Sequence, residues 1–422
     1  MKLPNTDELS RRNFIKSLAL STFGLSVGMN PLWGDEAPPE MAGGMAQAVI
    51  YIYLSGGISH VDSFDPKSNA EVMGETEILT SKVDNMTFGN NFVELAKEAE
   101  SLALIRSLST NQGAHEEGNY FMHTSYRKRA TIQHPSLGAW VHKMSGKHHP
   151  SLPPSVHIGG GASAGRGFFP SVYQPLVVGN PNDGLANSKI RHTNSTEFAQ
   201  RRKLAQAFDE DFHKVHKSKS MDAYVDVYEA ALKLMKSRDL QAFNLGAEPG
   251  NVRAAYGGGF GQGLMLARRL VEHGVRFVEV QMGGWDTHAD HFDRFESQAT
   301  LLDRTLATLL RDLKSRGLLE STLVVVATEF GRTPTINGNS GRDHYPRAFS
   351  GLMAGGGIKG GTVYGKTDKR GENVIENKVD VTDFNATIAH ALGIDPTKVT
   401  YSSTGRPFRI ANKGVPIKAL FS

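Results

Sequence analysis

Three short runs constrain the fold most: "AVIYIYL" at 48–54, "RFVEVQM" at 276–282 and "STLVVVATEF" at 321–330 are almost unbroken in apolar character, and each opens into polar residues at its C-terminal end. Strands covered on both faces read this way, because neither side of the pleat meets water. Helical patterns lie between them. In "TLLDRTLATLLRDLKSRGLL", Leu302, Leu306, Leu309 and Leu313 recur at helical spacing, and Gly317 stands where a C-cap belongs. "GQGLMLARRLVEHG" has the same character and stops at Gly274. Strand and helix in alternation predict an α/β sandwich around a mostly parallel sheet, where ligands gather beyond the C-terminal ends of the strands. Residues 196–244 are charged and helical in pattern with no strand signal, so they are expected to form a helical insertion packed on the sandwich.

Composition narrows the chemistry. The excess of 47 Lys and Arg over 43 Asp and Glu leaves a net charge of +4 with no dense basic run, which gives nucleic-acid binding no support. There is no cysteine, so disulfides, thiolate zinc sites and thiol nucleophiles are excluded together. Any metal must be held by His, Asp and Glu. At the N-terminus, "SRRNFIKSLALSTFGLSVGMNPLW" sets Arg11 and Arg12 ahead of Phe14, Lys16 and a mildly apolar stretch, and it resembles a twin-arginine (Tat) export signal. The expected organisation is a signal segment at 1–34, a Pro- and Gly-rich linker at 35–45 and one domain over 46–422. Such a chain meets the Tat translocase during export and works in the periplasm or at the cell surface. It touches the membrane only through the signal segment, if that is retained.

Three polar clusters lie just past the predicted strands. "SGGISHVDSFDPK" contributes Asp62, "GGWDTHADHFD" contributes Asp286, His288 and His291, and "ATEFGRTPTINGNSGRDHYP" contributes Glu329, Arg332, Arg342, Asp343 and His344. In an α/β fold all three can meet at one edge of the sheet. Imidazoles with carboxylates suit zinc, manganese or iron better than calcium. For Glu329, at the end of a buried strand, a salt bridge to Arg332 and metal ligation both stay open. Arg332 and Arg342 have forked donors suited to a phosphate or sulfate group, with pairing to nearby carboxylates as the alternative. Thr110 and His115, in "SLSTNQGAHEEGNYFMHTSYRKR", are candidates for a hydroxyl nucleophile and a general base. "GGGIKG" fits G-x-G-x-x-G, but the extended "GTVYGKTD" follows where a helix is needed, so a dinucleotide site is not expected.

The motifs "RRNFIK", "GGISHVDSFDPK", "HPSLGAWV", "FGQGLMLARRLVEHGVRFVEV", "GGWDTH", "EFGRTP", "GRDHYPRAFSGLMAGGGIKGG" and "GRPF" resemble the Tat-exported family catalogued as domain of unknown function 1501. The resemblance runs from about residue 45 to the C-terminus. That family is similar in turn to the alkaline phosphatase and sulfatase superfamily, a three-layer α/β/α sandwich of metal-dependent hydrolases. The resemblance implies an exported hydrolase of phosphate or sulfate esters, acting on an anionic small molecule or a sulfated or phosphorylated glycan. It implies a divalent metal, zinc or manganese, on Asp286, His288 or His291, and His344, with Glu329, Asp343 and Asp62 as further candidate ligands. It also exposes departures, since Ser55 stands where the superfamily has a first-strand Asp and Phe330 where it has a His. Thr110 is near the nucleophile's place but lacks its motif. These departures support a second expectation, a non-catalytic secreted binding or envelope-assembly protein with at most one structural metal.

Overall fold

The central strand β1 (Ala48–Leu54) is buried along its whole length, as its unbroken apolar sequence requires. Its side chains alternate between two cores: Ile50, Ile52 and Leu54 face one, and Val49, Tyr51 and Tyr53 face the other. The computed structural model describes residues 45–422 apart from 147–148, 161–163, 186–187, 189–193 and 216–218. The twin-arginine segment and the linker, except for residue 45, lie outside the described residues.

Around β1 the sheet is built from β2 (Leu102–Ser109), β3 (Ser155–Ile158), β4 (Leu176–Val178), β5 (Phe277–Met282), β6 (Thr322–Ala327), β7 (Phe349–Ala354), β8 (Thr362–Tyr364) and β9 (Val379–Asp380). The nine strands run in the order β8-β2-β7-β6-β1-β5-β3-β4, with β9 also beside β2. Every pairing is parallel except those of β7, which runs against both β6 and β2. β6 stops at Ala327, so Thr328, Glu329 and Phe330, read with the strand in the sequence, already belong to the loop beyond it. β2 escaped the sequence reading because Arg106 interrupts its apolar run; the guanidinium reaches out to the carbonyls of Phe64 and Thr87 at 2.6 and 2.8 Å.

Helices cover both faces. α1 (His115–Thr124) and α2 (Leu137–Ser145) pack on the Tyr51 and Tyr53 side. α3 (Ser195–Val215) and α4 (Lys219–Lys236) follow β4 in the chain. α5 (Phe260–Glu272) and α6 (His291–Ser315) bury their leucine stripes on the Ile50 and Ile52 side, and α7 (Val381–Ala391) returns to the Tyr51 side. This is a three-layer α/β/α sandwich. A fully buried arginine ties the Ile50 layer together: Arg268 on α5 reaches Glu248 at 2.7 Å, Glu272 at 2.5 Å and Asp312 of α6 at 2.9 Å. A buried charge survives only with partners of this kind. Among the described residues no helix is long and apolar enough to cross a membrane.

The topology decides where chemistry can collect. The loops after β1, β2, β5 and β6 all leave at the C-terminal edge of the parallel strands. Because β7 is reversed, the segment entering it, residues 344–348, arrives at that same edge. The loops are in intimate contact there: Gly56 has φ +119°, and a Cβ on it would lie 2.5 Å from the Asp286 nitrogen. Any side chain at Gly56 would push Asp286 out of place.

Candidate metal centre

Three imidazoles and one carboxylate meet at this edge, and each ring is held from behind. α1 opens with His115, whose Nδ1 lies 2.8 Å from Glu329 Oε1. Glu329 is only 1% exposed and also accepts from the Gly56 amide at 2.8 Å and the Tyr53 hydroxyl at 3.0 Å. An ionised carboxylate can only accept, so Nδ1 carries the proton and His115 Nε2 keeps its lone pair. His288 Nδ1 is fixed by Asp343 Oδ1 at 2.7 Å, and that carboxylate is steadied by the Asn337 amide at 3.2 Å. His344 Nδ1 faces the Gly113 carbonyl at 2.8 Å and must donate to it.

All three Nε2 atoms therefore turn toward Asp286 as acceptors. His115 Nε2 is 3.3 Å from Asp286 Oδ2, while His288 Nε2 and His344 Nε2 are 3.1 and 3.4 Å from Oδ1. The His288 and His344 nitrogens are 3.1 Å apart. Lone pairs gathered this closely repel unless a positive charge sits among them. A tetrahedral centre with bonds of about 2.0–2.1 Å separates its ligand atoms by about 3.3 Å, close to the distances from the three rings to Asp286 and from His288 to His344. His115 Nε2 is moreover shielded from solvent with no hydrogen-bond partner, and the ligand atoms of His115, Asp286 and His344 all lie within 4.8 Å of one another. The residues present fit a divalent ion with nitrogen preference.

Asp286 is kept ionised. Burial alone would raise its carboxyl, but the bond and charge of Arg332 bring it down to about 2. Arg332 is fully buried, and its donors are spent on Asp286 and on the carbonyls of Gly56, Gly57 and Arg342. The bond from Glu329 raises the proton affinity of His115, and a ring made more basic is a better donor to a cation. Phe330 forms an apolar wall, its ring 5.1 Å from that of His115 and 4.6 Å from that of His344. The other side is open, with Asp286 and His288 each 46% exposed.

The remaining sequence candidates stand elsewhere or in other roles. Glu329 and Asp343, read as ligands, sit behind His115 and His288 and orient them. Arg332 and Arg342, read as anion holders, are both fully buried with their forks committed, so neither faces an incoming ester. Asp62, His291 and Arg342 form a separate buried knot: Asp62 accepts from Thr76 Oγ1 at 2.6 Å, His291 Nε2 at 2.9 Å, Arg342 Nη2 at 3.0 Å and also Ser59 Oγ. His291 turns inward because it opens α6, whose first turn packs on the core, whereas His288 remains in the loop. Thr110 uses its hydroxyl to accept from the Gln112 amide at 3.3 Å, in a local turn.

Tyr53, the Gly56 amide and the Gly113 carbonyl carry no motif and were not legible in the sequence. Glu279 was not singled out either, although a carboxylate in the middle of the buried run "RFVEVQM" is the signal that marks it. It lies on the α1 side of the sheet, 3.0 Å from His123 Nε2 and 3.2 Å from His157 Nδ1. Burial alone would raise it, but the two imidazoles hold it well below the usual carboxylate range.

If Glu329 acts by orienting and polarising His115, Glu329→Gln should keep the fold, since Gln can still accept from His115 and Gly56, yet weaken metal affinity by about 10- to 100-fold. Competition with a calibrated chelator measures this; unchanged affinity would reduce Glu329 to a packing residue.

A sequence model of the family described as "Protein of unknown function (DUF1501)" matches residues 46–421. No curated protein matches the chain. Solved structures with some likeness include the lipoteichoic acid synthase LtaP from Listeria monocytogenes, at 11% identity over 95% of this chain and 81% of that one, with a TM-score of 0.37. The sulfatase PsFucS1 from Pseudoalteromonas sp. matches at 12% identity over 98% of this chain and 78% of that one, TM-score 0.39. A protein in the alkaline phosphatase superfamily from Vibrio parahaemolyticus matches at 10% identity over 91% and 76%, TM-score 0.37. At such distances the chemistry of this chain rests on its own residues.

Proposed function

This chain belongs to the DUF1501 family, whose description assigns no activity, and for this member we propose an exported, metal-dependent hydrolase of phosphate or sulfate esters. The observation that carries the reading is the convergence of three back-anchored imidazole nitrogens on one ionised carboxylate, open to solvent at the C-terminal edge of the sheet. A divalent ion held there, zinc or manganese, would act as a Lewis acid toward an ester oxygen and neutralise charge developing in the transition state. The chain's own residues do the rest. Glu329, Asp343 and the Gly113 carbonyl hold the Nδ1 protons and so fix which nitrogen faces the centre. Arg332 keeps Asp286 charged and pinned. Phe330 closes one side to water, while the exposed flank of Asp286 and His288 admits a substrate too large for an enclosed pocket. Export through the twin-arginine route would deliver the protein already folded to the periplasm or cell surface.

One observation favours the second reading, a non-catalytic binding or envelope-assembly protein with a structural ion: neither buried arginine offers a free fork to an anion. The two separate cleanly. Purified protein should contain about one transition-metal ion per chain, as one set of converging donors allows. It should hydrolyse 4-nitrophenyl sulfate or phosphate, lose that activity to a chelator and regain it with zinc or manganese. Bound metal whose removal unfolds the protein, with no turnover of either ester, would decide for the structural reading.

A further inference from the structure

Away from the metal centre, a groove of about 680 Å³ runs between the C-terminal half of α1, the start of α7 and two tight turns, a size usual for small-ligand sites. Its cations and rings are set by rigid local structure. The turn at 129–132, closed by an Arg129–Ile132 bridge, presents Arg129. The hairpin pairing Thr400–Tyr401 with Pro407–Phe408 presents Arg406, whose amide is fixed on Ser402 Oγ at 3.2 Å. Tyr126 is clamped through its hydroxyl to both the carbonyl and the amide of Arg409, each at 2.9 Å. The His134 ring stacks on it at 4.5 Å and 6°, and Phe408 meets both rings edge-on at 5.4 and 5.2 Å. The result is a fixed aromatic floor.

Charge in the groove is left uncompensated. Arg127, Arg129 and Arg406 are exposed, and among the described residues no carboxylate pairs with any of them. The one acid lining the groove, Asp380, is occupied as the cap of α7, accepting from the Thr382 amide and hydroxyl at 2.9 Å each. Burial and the nearby Arg129 hold His134 down to about 4, so it adds no charge at neutral pH. Three forked cations grouped without a counter-charge repel one another, and a bidentate anion relieves that repulsion. Phe121, which also lines the groove, lies six residues beyond His115 on α1, about 9 Å along the helix axis.

We infer that this groove is a subsite for an anionic saccharide, its sulfate or phosphate groups held by Arg127, Arg129 and Arg406 and its ring face laid on Tyr126 and Phe408. Aromatic faces take the apolar side of a sugar, and the guanidinium forks take its acidic groups. The inference stands independently of whether the metal centre turns over. Calorimetric titration of the full chain with a sulfated carrageenan tetrasaccharide, its desulfated counterpart, a phosphorylated oligosaccharide and inorganic polyphosphate tests it. A sulfated or phosphorylated saccharide should bind, and the triple variant Arg127→Ala/Arg129→Ala/Arg406→Ala should weaken it at least tenfold without lowering Tm. The desulfated sugar should bind wild type as poorly as the sulfated one binds the triple variant. His344→Ala, run in parallel, should bind like wild type. Binding lost in His344→Ala but kept in the triple variant would place the ligand at the metal centre and overturn the groove. Polyphosphate bound as tightly as the saccharides would overturn the role of the rings, and absence of binding by any of the acidic sugars would overturn the inference outright.

Discussion

His344→Ala should empty the metal centre and cut turnover of an aryl sulfate or phosphate by about 10³-fold or more, with a Tm equal to that of chelator-treated wild type. The size follows from the several kcal/mol of charge stabilisation that a metal ion supplies, each 1.4 kcal/mol being tenfold in rate. His344 is a partly exposed side chain held by the Gly113 carbonyl and resting on the Phe330 ring, so its loss removes a candidate ligand and little packing. Inductively coupled plasma analysis alongside thermal melts reads both halves of the expectation. A variant that keeps its metal, or one that melts far below metal-free wild type, would contradict the assignment of His344 as a functional ligand.

The second large effect is structural. Arg342→Met should cost about 3–5 kcal/mol at neutral pH, because it strands the Asp62 carboxylate in a site with no solvent access. Burial alone would raise the Asp62 carboxyl, but the charge of Arg342 and the bond from His291 outweigh burial and hold it well below the usual range. In wild type its contribution is thus complete above the unfolded-chain value of about 4 and is lost only as pH falls through the depressed folded value. In Arg342→Met the folded pKa moves up instead, so the variant's deficit should be largest at neutral pH and shrink on acidification. Urea denaturation at pH 7.5 and 4.5 measures it. An equal deficit at both values would sink the electrostatic account.

What the sequence showed best was whatever depends on periodicity. The strands at 48–54 and 276–282 and the leucine stripe of α6 stand where their patterns place them, the strands because short β-branched runs that open into turn residues read as strands covered on both faces. β2 was lost to a single arginine whose charged end leaves the sheet, and β3 and β4 are too short to show a period. At the site, Asp286, His288 and His344 could be nominated by residue type. Their division of labour with Glu329, Asp343 and Asp62 could not, since it depends on which oxygen lies behind which ring, and a backbone carbonyl such as that of Gly113 has no sequence signature. His291 shows the limit most clearly: three residues from His288, it points into the core, because the helix begins between them.

The reversed strand β7 also makes the metal centre a record of how much of the chain has been made. His344 and the carbonyl that orients it are 231 positions apart, and His344 is brought to that edge by its pairing with Arg332 and by the strand β7 that follows it. A ribosome that has released residues up to Asp343 has delivered His115, Asp286 and His288 but cannot yet close the set. No growing intermediate or fragment that ends short of His344 can assemble all four donors. Possession of the ion would then certify that the chain has been made and folded at least as far as His344, and the compartment in which the set closes would choose which ion is kept.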